Sequence, residues 1–123
     1  MKTRIILSGI LILLLTACEK KSDIPDPVIN VFSATPAAIP NGDTVTFVVD
    51  AVGDHISFYN GKATVDISGQ EMPYEERVRF RIFGSKFTPP ADTIWAKLAV
   101  TNVYDTDNIK SKVDSIEVII LEK

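Results

Sequence analysis

The sequence feature that most restricts the fold is a strict alternation of arginine with apolar residues over residues 77–82. Arg77, Arg79 and Arg81 are each followed by an apolar side chain. Successive side chains of a β-strand point to opposite faces, so a strand with one buried and one solvated face satisfies this period of two, and a helix does not. The chain therefore has sheet faces to bury, and we predict an all-β fold.

The same alternation recurs between turn signals along the rest of the chain. Strands are predicted over residues 28–32, 44–50, 56–59, 64–67, 77–82, 94–101 and 116–120. Short strands spaced eight to twelve residues apart are typical of an immunoglobulin-like fold. We expect an antiparallel β-sandwich of about seven strands. Its inward-facing residues are predicted to be Val45, Phe47, Val49, Ile56, Phe58, Ile94, Ala96, Leu98 and Val100.

Two segments of this predicted domain resemble known families. Residues 32–36 (FSATP) and 42–47 (GDTVTF) look like the opening of PKD-type, immunoglobulin-like modules. Residues 56–61 (ISFYNG) resemble the corresponding stretch of small surface lipoproteins of Bacteroidetes, many of which belong to families of unknown function. The resemblance implies a PKD-like sandwich held at the bacterial cell envelope.

The N-terminus has the layout of a secretory signal. Lys2 and Arg4 precede an almost wholly apolar run over residues 5–15. That run is shorter than the roughly 20 residues that a transmembrane helix needs, so cleavage is favoured over the alternative of a membrane span. Residues 15–18 (LTAC) resemble a bacterial lipobox, which implies that Cys18 is acylated and becomes the first residue of the mature chain.

This layout predicts a signal peptide over residues 1–17, a lipidated tether over 18–27 and one domain over 28–123. Cys18 is the only cysteine, so no disulfide forms within the chain. Without Lys2 and Arg4 the mature chain has 11 basic and 16 acidic residues, a net charge of −5 that argues against a nucleic-acid partner. The expected location is the bacterial cell envelope, at the outer membrane, with lipid on Cys18 holding the protein to the bilayer.

The arginine row is one candidate binding surface. Arg77, Arg79 and Arg81 would project from one face of a strand about 6.6 Å apart, a spacing that suits carboxylate or sulfate groups of an acidic glycan. The alternative is that they pair with acidic side chains on neighbouring strands and only stabilise the sheet.

Trp95 is the second candidate. It is out of phase with Ile94, Ala96 and Leu98, which places it on the face opposite the predicted core, where it would offer a stacking platform for a sugar. The alternative is an inverted phase in which Trp95 is the buried tryptophan that immunoglobulin-like cores often contain.

The sequence gives little support for catalysis or for metal binding. His55 is the only histidine, and no nucleophile motif accompanies it, so we expect a protein that is not an enzyme. One histidine and one lipidated cysteine do not make a zinc site, and no cofactor is implied. Asp105, Asp107 and Asn108 offer oxygens to calcium, but the same residues are ordinary turn formers, which is the interpretation that we favour.

Two classes of function stay open. The first is a membrane-anchored binding module, accessory to glycan or nutrient capture. The second is a structural spacer domain that assembles with another envelope protein. An exposed apolar or aromatic patch would favour the first class.

Overall fold

The computed structural model describes residues 24–122, which form an all-β fold as predicted. The predicted signal peptide, Cys18 and the first part of the tether lie outside the described residues. Within residues 24–122 no helix is long and apolar enough to cross a bilayer. The elements are β1 (Val28–Thr35), β2 (Ala38–Pro40), β3 (Thr44–Val52), β4 (His55–Tyr59), β5 (Thr64–Asp66), β6 (Tyr74–Arg79), a 3₁₀ turn (Gly84–Lys86), β7 (Ala91–Asp105) and β8 (Asn108–Leu121).

The eight strands of the described chain form two sheets. A three-stranded sheet has the order β1-β3-β6, and a five-stranded sheet has the order β2-β8-β7-β4-β5. The chain leaves the first sheet after Thr35 and enters the second at Ala38. β2 runs parallel to β8, whereas every other pairing is antiparallel, so the prediction of a purely antiparallel arrangement is wrong at this one edge.

The two sheets share one apolar core. Phe47 of β3 and Phe58 of β4 are both fully buried, and their ring centroids lie 5.4 Å apart across the interface between the sheets. Phe58 also contacts the rings of Phe32 and Tyr74 edge to face. Each fully buried phenylalanine contributes about 1.5–3 kcal/mol from the hydrophobic effect. Of the residues predicted to face inward, all are buried except Ile94, which is partly buried against the core.

Several element boundaries differ from the prediction, and two of them bear on the candidate site. The sequence predicts a tight turn over residues 39–43, with Gly42 suited to a positive φ, but Ala38–Pro40 forms β2 at a sheet edge, where the backbone donor that Pro40 lacks is not needed. β6 begins at Tyr74 and ends at Arg79, so Arg81 lies beyond the strand that was predicted to contain it. Phe80 is nevertheless buried, because the chain continues in an extended course beside the turn before β3.

The β7–β8 hairpin is the longest element, and it continues past the core. Asn102, which is 7 % exposed, marks the point where the core ends. Its side chain accepts a hydrogen bond from the Asp54 backbone N–H at 2.9 Å and donates one to the Pro25 carbonyl at 2.8 Å. Asp26 forms an ion pair with Lys110 at 3.3 Å. These contacts hold the residues that precede β1 against the hairpin.

Candidate functional site

A hollow lies between the turn that precedes β3 and the segment that follows β6. It has a volume of about 610 Å³, which falls in the range of about 300–1,000 Å³ usual for ligand sites. We call it the arginine groove, because Arg79 and Arg81 line it. The other lining residues are Pro40, Asn41, Gly42, Asp43, Ile82, Phe83 and Gly84.

Backbone pairing makes the walls of the arginine groove rigid. The Gly42 N–H donates to the Phe80 carbonyl at 2.7 Å, and the Phe80 N–H donates to the Asp43 carbonyl at 3.0 Å. Asn41 extends this pairing with its side chain, since its amide donates to the Ile82 carbonyl and accepts from the Ile82 N–H, both at 2.8 Å. The Gly42 φ of +94° is a conformation that glycine adopts without strain, as the predicted turn required.

The two arginines of the groove are held in place by contacts that leave most of their donors available. Arg79 donates from Nε to the Gly42 carbonyl at 2.7 Å. Arg81 lies over the ring of Phe83, with its guanidinium carbon 4.7 Å from the ring centroid, a cation–π geometry. A guanidinium has five N–H donors, so both side chains keep donors for a carboxylate or sulfate.

The arginines have no acidic partner among residues 24–122. The only ion pair within 4.0 Å in that part of the chain joins Lys110 to Asp26. Arg77 and Arg79 lie opposite the neutral residues Thr46 and Thr44 of β3. The described residues therefore do not show the cross-strand pairing that was the alternative role for the arginine row.

One carboxylate does line the arginine groove. Asp43 accepts a hydrogen bond from the Thr44 backbone N–H at 2.8 Å, which orients it within its own turn. Two guanidinium groups against one carboxylate leave the groove with an excess of positive charge on a domain that is acidic overall. That excess favours anionic ligands.

The four predicted binding residues do not form one site. Arg79 and Arg81 meet in the arginine groove, whereas Arg77 is exposed on β6 and does not line it. Trp95 is 49 % exposed on the outer face of the five-stranded sheet, opposite Glu117, and does not line the groove. The phase that places Trp95 away from the core is therefore the correct one.

Sequence reasoning missed Asn41 and Phe83 as residues of the site. Asn41 was interpreted only as a turn former, and its pairing with Ile82, 41 positions away, has no local signature. Phe83 is 64 % exposed and follows directly on the alternating segment, where a large aromatic side chain out of phase with the buried residues was the available signal.

The acidic loop between β7 and β8 is a self-contained turn. Asp105 accepts hydrogen bonds from the backbone N–H groups of Asp107 and Asn108 and from the Asn108 side chain. The Asp107 N–H is the main cause that lowers the pKa of Asp105, and the Asn108 side chain adds to it. Among residues 24–122 no cluster of three or more histidine, cysteine or acidic side chains is placed to hold a metal ion.

Two other titratable groups have displaced pKa values. Hydrogen bonds from Ser68 lower the pKa of Asp66 at the end of β5. Burial raises the pKa of Tyr74, and the charge of Glu76 acts in the same direction. Both residues support local structure, and neither lines the arginine groove.

Comparisons of the chain with protein-family models, with curated proteins and with solved structures found no match.

Proposed function

We propose that this chain is a lipid-anchored, non-catalytic protein of the bacterial envelope whose domain, an immunoglobulin-like, PKD-like sandwich, binds an acidic glycan in the arginine groove. The observation that carries the proposal is a groove lined by two guanidinium groups that form no ion pair with the described residues, against the single lining carboxylate of Asp43. Carboxylate and sulfate groups match the planar donor fork of arginine.

The exposed aromatic ring beside the arginines supports a sugar as the carrier of that anionic group. Phe83 is 64 % exposed, and Arg81 covers part of its ring. A sugar ring packs against an aromatic face while its acidic substituent reaches the guanidinium groups. The two contacts together favour a glycan over a free inorganic anion, which would use only the charge.

Glycan binding in the groove is tested by chromatography of the full chain, purified in detergent, on heparin and polygalacturonate resins. The measurement is the salt concentration at which the protein elutes. Arg81→Glu is expected to elute at lower salt than the unmodified protein, because the groove loses a positive charge and gains a negative one. Arg77→Glu is the matched control, since it makes the same charge change on β6 outside the groove. Equal losses in both variants would mean that only the overall charge matters, and retention unchanged in Arg81→Glu would refute the groove.

The ring contact needs a separate variant. Phe83→Ala keeps both arginines and is expected to weaken retention on polygalacturonate, while the affinity of the protein for free inorganic sulfate changes little. Retention that is unaffected by Phe83→Ala would reduce the proposal to a site for simple anions.

The membrane anchor is tested independently of the groove. Cells fed labelled palmitate are expected to incorporate the label into the unmodified chain and into Arg81→Glu, but not into Cys18→Ser, because Cys18 is the only thiol. Label retained in Cys18→Ser would refute the anchor and leave the proposal for the groove intact.

A further inference from the structure

One long strand edge has no hydrogen-bonded strand beside it within the described chain. β8 pairs along its whole length with β7, but on its other side β2 covers only Ile119, Ile120 and Leu121. Over residues 109–117, which we call the free edge of β8, no strand of residues 24–122 is hydrogen-bonded on that side, although β1 of the other sheet approaches β8. Natural proteins seldom leave an edge of this length uncovered, because it is a template for pairing with another chain.

The hydrogen bonds of the neighbouring residues show which groups the free edge offers. The Ile119 N–H bonds to the Ala37 carbonyl on the β2 side, whereas the Glu122 N–H bonds to the Pro90 carbonyl on the β7 side. The backbone N–H and C=O groups of consecutive strand residues point alternately to the two sides of the strand, and the β7–β8 register is regular from Ile109 onwards. The residues whose N–H and C=O groups point to the free edge are therefore Ile109, Ser111, Val113, Ser115 and Glu117.

The side chains along the free edge are complementary to themselves. Lys112 and Asp114 flank Val113, which at 67 % exposed is the most exposed large apolar residue of the described chain. When two such strands pair antiparallel with Val113 on the twofold axis, Lys112 of each copy lies opposite Asp114 of the other. The same register places Ser111 opposite Ser115 and Val113 opposite itself.

The neighbouring registers are less favourable. Centring the pair on residue 112 opposes the two copies of Lys112, although it also places Lys110 opposite Asp114 twice. Centring it on residue 114 opposes two aspartates. Centring it on residue 111 opposes Lys110 and Lys112 twice. Like charges directly opposite one another destabilise a sheet, so the charges of this strand select the register centred on Val113.

A hollow of about 490 Å³ lies between the residues before β1 and the outer end of β8, lined by Asp26, Pro27, Lys110, Ser111 and Lys112. The described residues before β1 thus contact the hairpin through Lys110 without filling the space beside Ser111.

We infer that two copies of this chain associate through the free edges of β8, antiparallel and centred on Val113, so that their five-stranded sheets become one continuous sheet. The pairing is isologous, because each copy contributes the same residues. It uses the outer end of β8 and leaves the arginine groove open, so it does not depend on the proposed function.

A charge-swap series in the full chain tests the pairing. Lys112→Asp and Asp114→Lys are each expected to weaken the dimer about tenfold, because two attractive cross-strand pairs become repulsive. The double variant Lys112→Asp/Asp114→Lys is expected to restore it. Sedimentation equilibrium in density-matched detergent measures the dissociation constant, and far-UV circular dichroism checks that each variant keeps its sheet content.

Disulfide trapping tests the register. Val113→Cys is expected to cross-link into a dimer on mild oxidation, since opposite residues of an antiparallel pair lie within the reach of a disulfide. Ser115→Cys is the matched control on the same strand and face, and it should not cross-link, because its partner is Ser111 of the other copy. The unmodified chain, with Cys18 alone, gives the background.

Three results would overturn the inference. The first is a monomer at every concentration, which is also the result expected if residues 1–23 of the same chain cover the edge. The second is an equal dimer affinity for the single and the double charge variants. The third is cross-linking of Ser115→Cys that is as efficient as that of Val113→Cys.

Discussion

At the scale of single residues, Gly61 and Gly69 share a backbone conformation but differ in their surroundings. Their φ angles are +95° and +78°, values that favour glycine. A Cβ at Gly61 would lie 2.6 Å from Ile94 Cγ2 and 2.9 Å from Phe80 Cε1, whereas a Cβ at Gly69 would meet nothing within 4 Å. Gly61 therefore combines a turn requirement with a close approach to the core.

We expect Gly69→Ala to cost about 1–2 kcal/mol from backbone strain alone, and Gly61→Ala to cost about 1–3 kcal/mol more because the core must also move. Urea unfolding followed by far-UV circular dichroism measures both free energies. Equal losses in the two variants would show that the contacts with Ile94 and Phe80 relax without cost.

Glu76 shows what a sequence pattern does not reveal about a single side chain. It faces the core side of β6, where its Oε2 is buried without a hydrogen-bond partner in the described residues and its Oε1 accepts from Asn60 at 3.4 Å. The alternation of arginine with apolar residues predicted a strand that begins at residue 77. Glu76 lay outside that strand, so the sequence did not predict on which face of the sheet it lies. A carboxylate that points inward on an edge strand discourages pairing with other chains, and this role depends on a sheet order that the sequence does not contain.

At the scale of elements, the turn of the β7–β8 hairpin links stability to pH. The pKa of Asp105 is lowered in the folded state by its bonds to Asp107 and Asn108. Its unfolded value is about 3.9, so ionised Asp105 stabilises the hairpin above that pH. The stabilisation is lost as the pH falls through the lower folded value.

We accordingly expect Asp105→Ala to lower the free energy of unfolding at neutral pH and to differ less from the unmodified protein at about pH 2.5. Asp107→Ala is the control, because the Asp107 carboxylate accepts no hydrogen bond from residues 24–122. Urea titrations at the two pH values measure the difference. A deficit that is the same at both would mean that the charge of Asp105 is not what stabilises the turn.

The lengths of β7 and β8 could be predicted only where the strands cover the core. Strands were expected over residues 94–101 and 116–120, but they run from Ala91 to Asp105 and from Asn108 to Leu121. Lys110, Lys112 and Asp114 occupy the positions where inward apolar residues would mark a strand. That part of the hairpin extends past the core, so no buried face imposes alternation on it, and the pairing of the two strands with each other keeps it extended.

Only one wall of the candidate site could be predicted from the sequence. Alternation identified Arg79 and Arg81 as exposed side chains of one face, and both do line the groove. The opposite wall comes from Pro40–Asp43, which is distant in sequence and is brought there by the pairing of Gly42 with Phe80. A sequence pattern reports the face on which a residue lies, whereas a groove requires knowledge of which turn lies beside it.

At the scale of the whole molecule, one aromatic residue joins the two sheets. Phe58 is fully buried and contacts Phe32, Phe47 and Tyr74, all of which belong to the three-stranded sheet. Because both sheets depend on the same core, we expect the domain to unfold as a single unit.

Phe58→Ala is expected to lower the free energy of unfolding by about 3–5 kcal/mol, a large part of the 5–15 kcal/mol or so that holds a typical domain together. Val52→Ala is the control, since Val52 is 61 % exposed at the end of β3, and it should change stability by less than about 0.5 kcal/mol. Chemical denaturation measures both. A small effect of Phe58→Ala would mean that the sheets do not rely on this contact.

The parallel pairing of β2 with β8 also determines how the domain would respond to force. β2 follows the first strand of the chain and β8 is the last, so a pull applied between residues 24 and 122 draws the two strands past each other along their length. The hydrogen bonds of Ala37 and Asn41 to β8 then bear the load together in shear and are not broken one after another. A domain held at one end and pulled at the other would therefore load this three-residue edge in shear.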